Sequence, residues 1–139
     1  MTEASDPQVL QVMGILSAMT DAFRNADFDT FLSFLADDVT MFWPGDLTLT
    51  SGRLELEPKF AATLAGYRAL RAEPPYVDWL PENAQVSVQG STAVVTWRYR
   101  PGRTVNRRTF IFRETPAGWK VMHIHADNVP ESLIRRHRT

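Results

Sequence analysis

The chain has no cysteine, which removes disulfides, thiolate nucleophiles and zinc–cysteine sites at once. It has almost no net charge either: 15 basic residues against 16 acidic ones leave a formal −1. No global field therefore draws it toward nucleic acid or a membrane surface. No apolar run approaches the roughly 18 residues that a bilayer span needs. The opening MTEASDPQ has neither the basic nor the apolar region of a secretory signal. A soluble, cytoplasmic protein is the expectation. Repeats and long linkers are missing too. At 139 residues the chain suits one domain, 1–139, large enough to bury a core, with residues 1–5 and 131–139 as flexible ends.

What is present is a helical first half and a strand-rich second half. Asp6-Pro7 is a cap followed by a first-turn proline. Val9, Val12, Met13, Leu16, Met19 and Phe23 then recur at helical spacing to about Arg24. Asp27 can cap a second helix carrying Phe28, Phe31, Leu32 and Leu35, ended by Ala36-Asp37-Asp38. A strand is expected over 39–43, stopped by Pro44-Gly45. Pro58 is expected to open a third helix, with Phe60, Leu64 and Tyr67 on one face, and Pro74-Pro75 to stop it. Segments 76–80 and 84–89 read as strands, followed by 92–100, 103–114 and a last strand from Trp119.

The stretch 107–127, RRTFIFRETPAGWKVMHIHAD, organises the rest. Pro116-Ala117-Gly118 suits a three-residue hairpin loop. With Thr115 and Trp119 flanking it, Phe112 faces Met122, Phe110 faces Ile124 and Arg108 lies near Ala126. On the other side Arg113 meets Val121, Ile111 meets His123, Thr109 meets His125 and Arg107 meets Asp127. The preceding connection leaves two arrangements open. A two-residue Pro101-Gly102 turn puts Val95, Trp97 and Tyr99 on the face of Phe110, whereas a longer or bulged one puts Arg98 and Arg100 there. The first makes an aromatic pocket with Arg108 as its cation; the second makes a three-arginine cluster suited to carboxylate or phosphate. The aromatic arrangement is the working expectation.

The R-R-T of this hairpin, its short turn and its W-K-V-x-H-x-H resemble the C-terminal hairpin of SnoaL-like proteins, in the nuclear transport factor 2-like superfamily. The F-L-x-x-L-A-D-D-V at 31–39 resembles the superfamily's opening. The association domain of calcium/calmodulin-dependent kinases is similar as well. The resemblance implies an α+β fold, a cone-shaped barrel in which three helices from the N-terminal half pack on a strongly curved antiparallel sheet. A pocket would lie between helices and concave face. One fold hosts many activities, so none follows from it alone. Ketosteroid isomerases carry a general-base aspartate in V-E-D-P, where M-F-W-P here puts Trp43, and their first-helix tyrosine aligns with Met19. Base and oxyanion donor are both replaced, so steroid isomerisation is not expected. The kinase association domain's carboxylate-binding arginines match Phe110 and Ala126, with Arg100 as a loose third match.

The candidate substrate pocket is therefore Trp43, Tyr67, Trp97, Tyr99, Phe110 and Phe112, with Arg108 polarising a substrate oxygen and His123 as the catalytic fallback if the faces are reversed. The plainer alternative is that these aromatics are core, as aromatics commonly are. His123, His125 and Asp127 share a face and could ligate a metal, yet same-face neighbours sit roughly 7 Å apart and one strand rarely closes a site. No metal and no cofactor is expected. The imidazoles then read as hydrogen-bonded interface groups, Arg107–Asp127 as an ion pair, and His137 as a solvated tail residue. Asp46 would be a base only if desolvated, and loop aspartates usually face water. Apolar side chains on both sheet faces, Trp119 and Val121 opposing Met122 and Ile124, lead to an expected homodimer through the outer face. Six arginines fall between Arg98 and Arg113, but alternating faces and balanced charge oppose a basic stripe. The expected partners are a small-molecule ligand and a second copy, with neither nucleic acid nor membrane. The leading function is a small-molecule pocket protein of SnoaL-like type, a cofactor-free cyclase, isomerase or lyase acting on an apolar or aromatic oxygenated substrate. The rival is a non-catalytic ligand-binding or oligomeric assembly module using the same cavity.

Overall fold

The computed structural model describes residues 6–78 and 80–134. Helix α1 (Pro7–Arg24) begins where a carboxylate can satisfy its free N–H groups: Asp6 accepts from Gln8 N–H at 2.8 Å and Val9 N–H at 3.4 Å. Asp27 caps α2 (Phe28–Ser33) through Thr30 N–H at 3.3 Å. That helix is shorter than its apolar spacing suggests. Leu35 opens strand β1 (Leu35–Phe42) instead, because it pairs with Val121 while Val121 N–H donates to the Phe34 carbonyl at 2.8 Å. A long-range ladder here overrides a local helical pattern.

After the short β2 (Thr50–Ser51), helix α3 (Arg53–Arg68) starts a turn before the expected Pro58. Gly52, at φ +84°, turns the chain and its carbonyl takes the Leu56 N–H at 3.1 Å. Pro58 lies inside the helix and removes one ladder bond, to the carbonyl of the 88 % exposed Leu54. Residues 76–78 are not a strand. Tyr76 N–H donates to the Arg24 carbonyl at 2.7 Å and Arg24 Nε to the Val77 carbonyl at 3.3 Å, so this segment is tied to α1. Then follow β3 (Glu82–Gln89), β4 (Thr92–Tyr99), β5 (Thr104–Thr115) and β6 (Gly118–Pro130).

Three helices pack on one face of a six-stranded sheet ordered β2-β1-β6-β5-β4-β3. The α+β class is as expected. One pairing refines it: β1 runs parallel to β6, so the sheet is mixed, and it stays open with β2 and β3 at its edges. Among the described residues no helix is long and apolar enough to cross a membrane.

The hairpin corrects the expected register near its turn. Thr115 pairs with Gly118, leaving a two-residue loop, and Gly118 takes φ +104°. Phe112 thus opposes Val121 rather than Met122. A bulge at Met122 then restores the expected pairs Ile111–His123, Phe110–Ile124, Arg108–Ala126 and Arg107–Asp127. One extra residue in a strand swaps its faces. Trp119 and Val121 are consequently buried on the core side with Ile124 and Ala126, not on the outer face. The apolar outer face inferred from them goes with that correction.

Between β4 and β5 the connection is longer than two residues, with Tyr99 opposite Asn106. The pairing has moved by an even number of residues, so the faces do not change. Val95, Trp97 and Tyr99 point to the helices with Phe110 and Phe112, and all five are buried.

Candidate functional site

Between α1, α3 and the inner face of the sheet lies a cavity of about 240 Å³. Helix α1 contributes Met19, Thr20 and Phe23, helix α3 contributes Phe60, Thr63 and Tyr67, and Trp43-Pro44 follow β1 at its rim. The wall is a mesh of rings: Trp43–Phe60 at 5.0 Å between centroids, Phe23–Tyr67 at 5.7 Å, Trp97–Tyr99 and Trp97–Phe110 each at 5.6 Å. Such edge-on and stacked contacts fix the rings in place.

The polar part of the wall is built around Arg108. Its register opposite Trp97 and Ala126 turns the side chain inward. Nη2 donates to Tyr99 Oη at 2.9 Å; Nη1 donates to the Arg107 and Asp127 carbonyls at 2.9 and 3.0 Å and to Asn128 Oδ1 at 3.2 Å. The guanidinium carbon also sits 5.2 Å from the Tyr99 ring centre. Burial pulls the Arg108 pKa down, against the opposing pull of Tyr99, Tyr67 and Asp127. Burial pushes the Tyr67 hydroxyl up, Tyr99 adds to this and Arg108 opposes it, so Tyr67 is a protonated donor. Asn106 is buried, and Thr104 Oγ1 donates to its Oδ1 at 3.0 Å, which leaves its amide N–H groups for the cavity. Among the described lining residues there is no carboxylate and no imidazole. The site can hold or polarise an oxygen and donate a proton; its described lining residues include no carboxylate or imidazole to serve as a general base.

Trp43, Tyr67, Trp97, Tyr99, Phe110 and Arg108 come together in this wall. Phe112 stands behind Phe110, 6.3 Å away between centroids and with no exposed surface. His123 is on the opposite face of the sheet, Nδ1 2.8 Å from Thr40 Oγ1, with the Phe42 ring beside it and beside His125. Its pKa is lowered by burial first and by His125 second. It does not reach the cavity, so the fallback base falls away. Asp127 is claimed by Arg107 through bonds of 2.6 and 2.9 Å, and among the described residues no group of three His, Cys, Asp or Glu could hold a metal ion. His137 lies outside the described residues. Asp46 pairs with Lys59 at 2.9 Å, away from the cavity wall. Arg100 is exposed and near Glu82 at 3.6 Å, so no arginine cluster forms. Met19 and Trp43, at the two positions where a steroid isomerase carries donor and base, both line the cavity.

Sequence reasoning missed Asn106, Asn128, Thr20 and Thr63. The first two had a signal: they lie two residues from Arg108 and Ala126, on the same strand faces. The threonines had none, since a helix position beside an apolar stripe is not distinguished by spacing.

A SnoaL-like domain model matches residues 12–130. The chain belongs to the SnoaL-like family. This SnoaL-like protein is similar to a candidate dehydratase of the nuclear transport factor 2-like family from Streptomyces avermitilis, at 26 % identity and TM-score 0.74, over 88 % of this chain and 96 % of that one. A candidate ketosteroid isomerase from Parabacteroides distasonis shares the fold at 20 % identity and TM-score 0.68, over 90 % and 89 % of the two chains. So does a cystatin-like-fold protein from Caulobacter vibrioides at 12 % identity and TM-score 0.75, over 91 % and 93 %. No curated protein matches the sequence.

Proposed function

We propose that this chain seats a small apolar or aromatic, oxygen-bearing molecule in its cavity and turns it over by cofactor-free isomerase, lyase or cyclase chemistry. One observation carries the reading: a half-buried guanidinium stands in a largely aromatic wall. The rings hold the skeleton and exclude water, Arg108 polarises the substrate oxygen, and Tyr67 donates a proton to it. Similarity to a candidate dehydratase fits a lyase in which Tyr67 protonates the leaving hydroxyl, which departs as water, and the Tyr67 phenolate formed near Arg108 takes the proton from the neighbouring carbon.

A second reading, a non-catalytic binding module, is favoured by the absence of a carboxylate or imidazole among the described lining residues. Tyr67 separates the two. In an enzyme Tyr67→Phe lowers turnover by about 100-fold; in a binder it weakens the complex by no more than about one hydrogen bond and leaves its composition unchanged. The ligand itself is sought by denaturing the purified protein and analysing the released small molecules by mass spectrometry. One compound class enriched in the wild type and lost in Arg108→Ala is the expected result, and equal recovery from both proteins refutes the reading. The proposal also includes a two-fold dimer through the outer sheet face, supported by Phe42 and Val94, 36 % and 38 % exposed there.

A further inference from the structure

Arg108 is hydrogen-bonded through both terminal nitrogens but ion-paired through neither. Its partners are two backbone carbonyls, an amide oxygen and a phenol oxygen, all neutral. Among the described residues it makes no ion pair. Asp127 bonds Arg108 through its carbonyl and adds only a distant pull, since its carboxylate is bonded to Arg107 on the other face. A half-buried cation with no directly bonded counter-charge carries part of the cost of desolvation, and neutral acceptors offset only some of it.

The rest of the polar wall points the same way. Asn128 Oδ1 and Tyr99 Oη are already accepting from Arg108. Near the guanidinium, what remains toward the cavity is donors, the Asn106 amide N–H groups and the Tyr67 hydroxyl, while on the helix side Thr20 and Thr63 have given their protons to the Ser17 and Lys59 carbonyls and can only accept. A neutral carbonyl would accept these bonds and leave the charge unbalanced. A cation would be repelled, and a dianion would bring more charge than one guanidinium neutralises. The cavity, about 240 Å³, is below the about 300–1,000 Å³ of pockets that take drug-sized ligands. It suits a single ring or a short chain.

We infer that the ligand of this cavity is a small monoanion, a carboxylate on a one-ring or short apolar skeleton, whose charge completes Arg108. The inference rests on the pocket reading above and narrows it to one substrate class. Titration calorimetry on the full chain at fixed ionic strength tests it with benzoate and phenylacetate, their neutral amides, and benzylamine. The acids are expected to bind, with the amides about tenfold or more weaker and the amine not at all. Arg108→Gln brings the acids down to the level of the amides, and Arg108→Lys, which keeps the charge, preserves part of the preference. Amides binding as tightly as acids to the wild type overturn the inference and leave the pocket reading standing. If no member of the series binds at millimolar concentration, both fall.

Discussion

Two neighbouring arginines in the same strand have opposite fates because strand side chains alternate. Arg107 reaches Asp127 across β6 on the wet face, and Arg108 turns into the cavity. Replacing Arg108 by methionine, similar in reach and without charge, is expected to change the stability of the unliganded protein by no more than about 1 kcal/mol, because relief of a half-buried charge offsets the hydrogen bonds lost. The same change abolishes ligand-induced stabilisation in a thermal-shift assay. Phe112, with no exposed surface, behaves differently: Phe112→Ala costs about 3–5 kcal/mol in urea unfolding through lost burial and an added void. His123 supplies a pH dependence. Burial, then the His125 charge, hold its folded pKa below the ordinary value. Between the folded and unfolded values the unfolded chain binds more protons, so stability is full above the ordinary histidine pKa and falls as pH drops through the folded one. Urea midpoints between about pH 7 and pH 5 are expected to decline in the wild type and to flatten in His123→Gln.

At the scale of elements, the β5–β6 hairpin decides the site. Its two-residue loop and its bulge each displace the register by one residue, and together they cancel beyond Met122. The pairs that define the cavity were therefore legible from a loop length that was itself wrong, while Trp119 and Val121 were placed on the wrong face. Nothing local in W-K-V-M-H marks the extra residue; burial of Trp119, Val121, Ile124 and Ala126 on one side does. Deleting Met122 forces either the tip or the distal part of β6 to expose its core face, and loss of cooperative unfolding is expected. Met122→Thr keeps the residue count and is expected to cost no more than about 1.5 kcal/mol. The β4–β5 connection shows the opposite lesson. Its length was misjudged by two residues, and the faces survived because the period of a strand is two.

On the whole molecule, the cavity and the outer face are separated by the sheet, so binding and assembly are expected to be separable. Phe42→Asp or Val94→Lys is expected to convert a dimer to a monomer in size exclusion with light scattering, with ligand-induced stabilisation unchanged. A wild type that runs as a monomer at micromolar concentration removes the dimer. Among the described residues, the exposed arginines Arg107, Arg113 and Arg100 form no basic stripe, since they lie beside Asp127, Asp38 and Glu82 at 2.6, 3.1 and 3.6 Å.

The amino-acid order alone marked most of the elements and the inward direction of Arg108 and Phe110, because caps, turn residues and alternation are local properties of the chain; it left Trp97 and Tyr99 open between two arrangements, which the pairing of β4 with β5 decided. Tertiary structure decided what depends on distant partners: that Leu35 leaves its helix for the ladder with Val121, that Met122 bulges, and that no described acid meets Arg108. Side-chain periodicity sets a direction within each strand. Only packing of one strand on another sets which carboxylate, amide or ring stands opposite it, and so which charges stay unpaired.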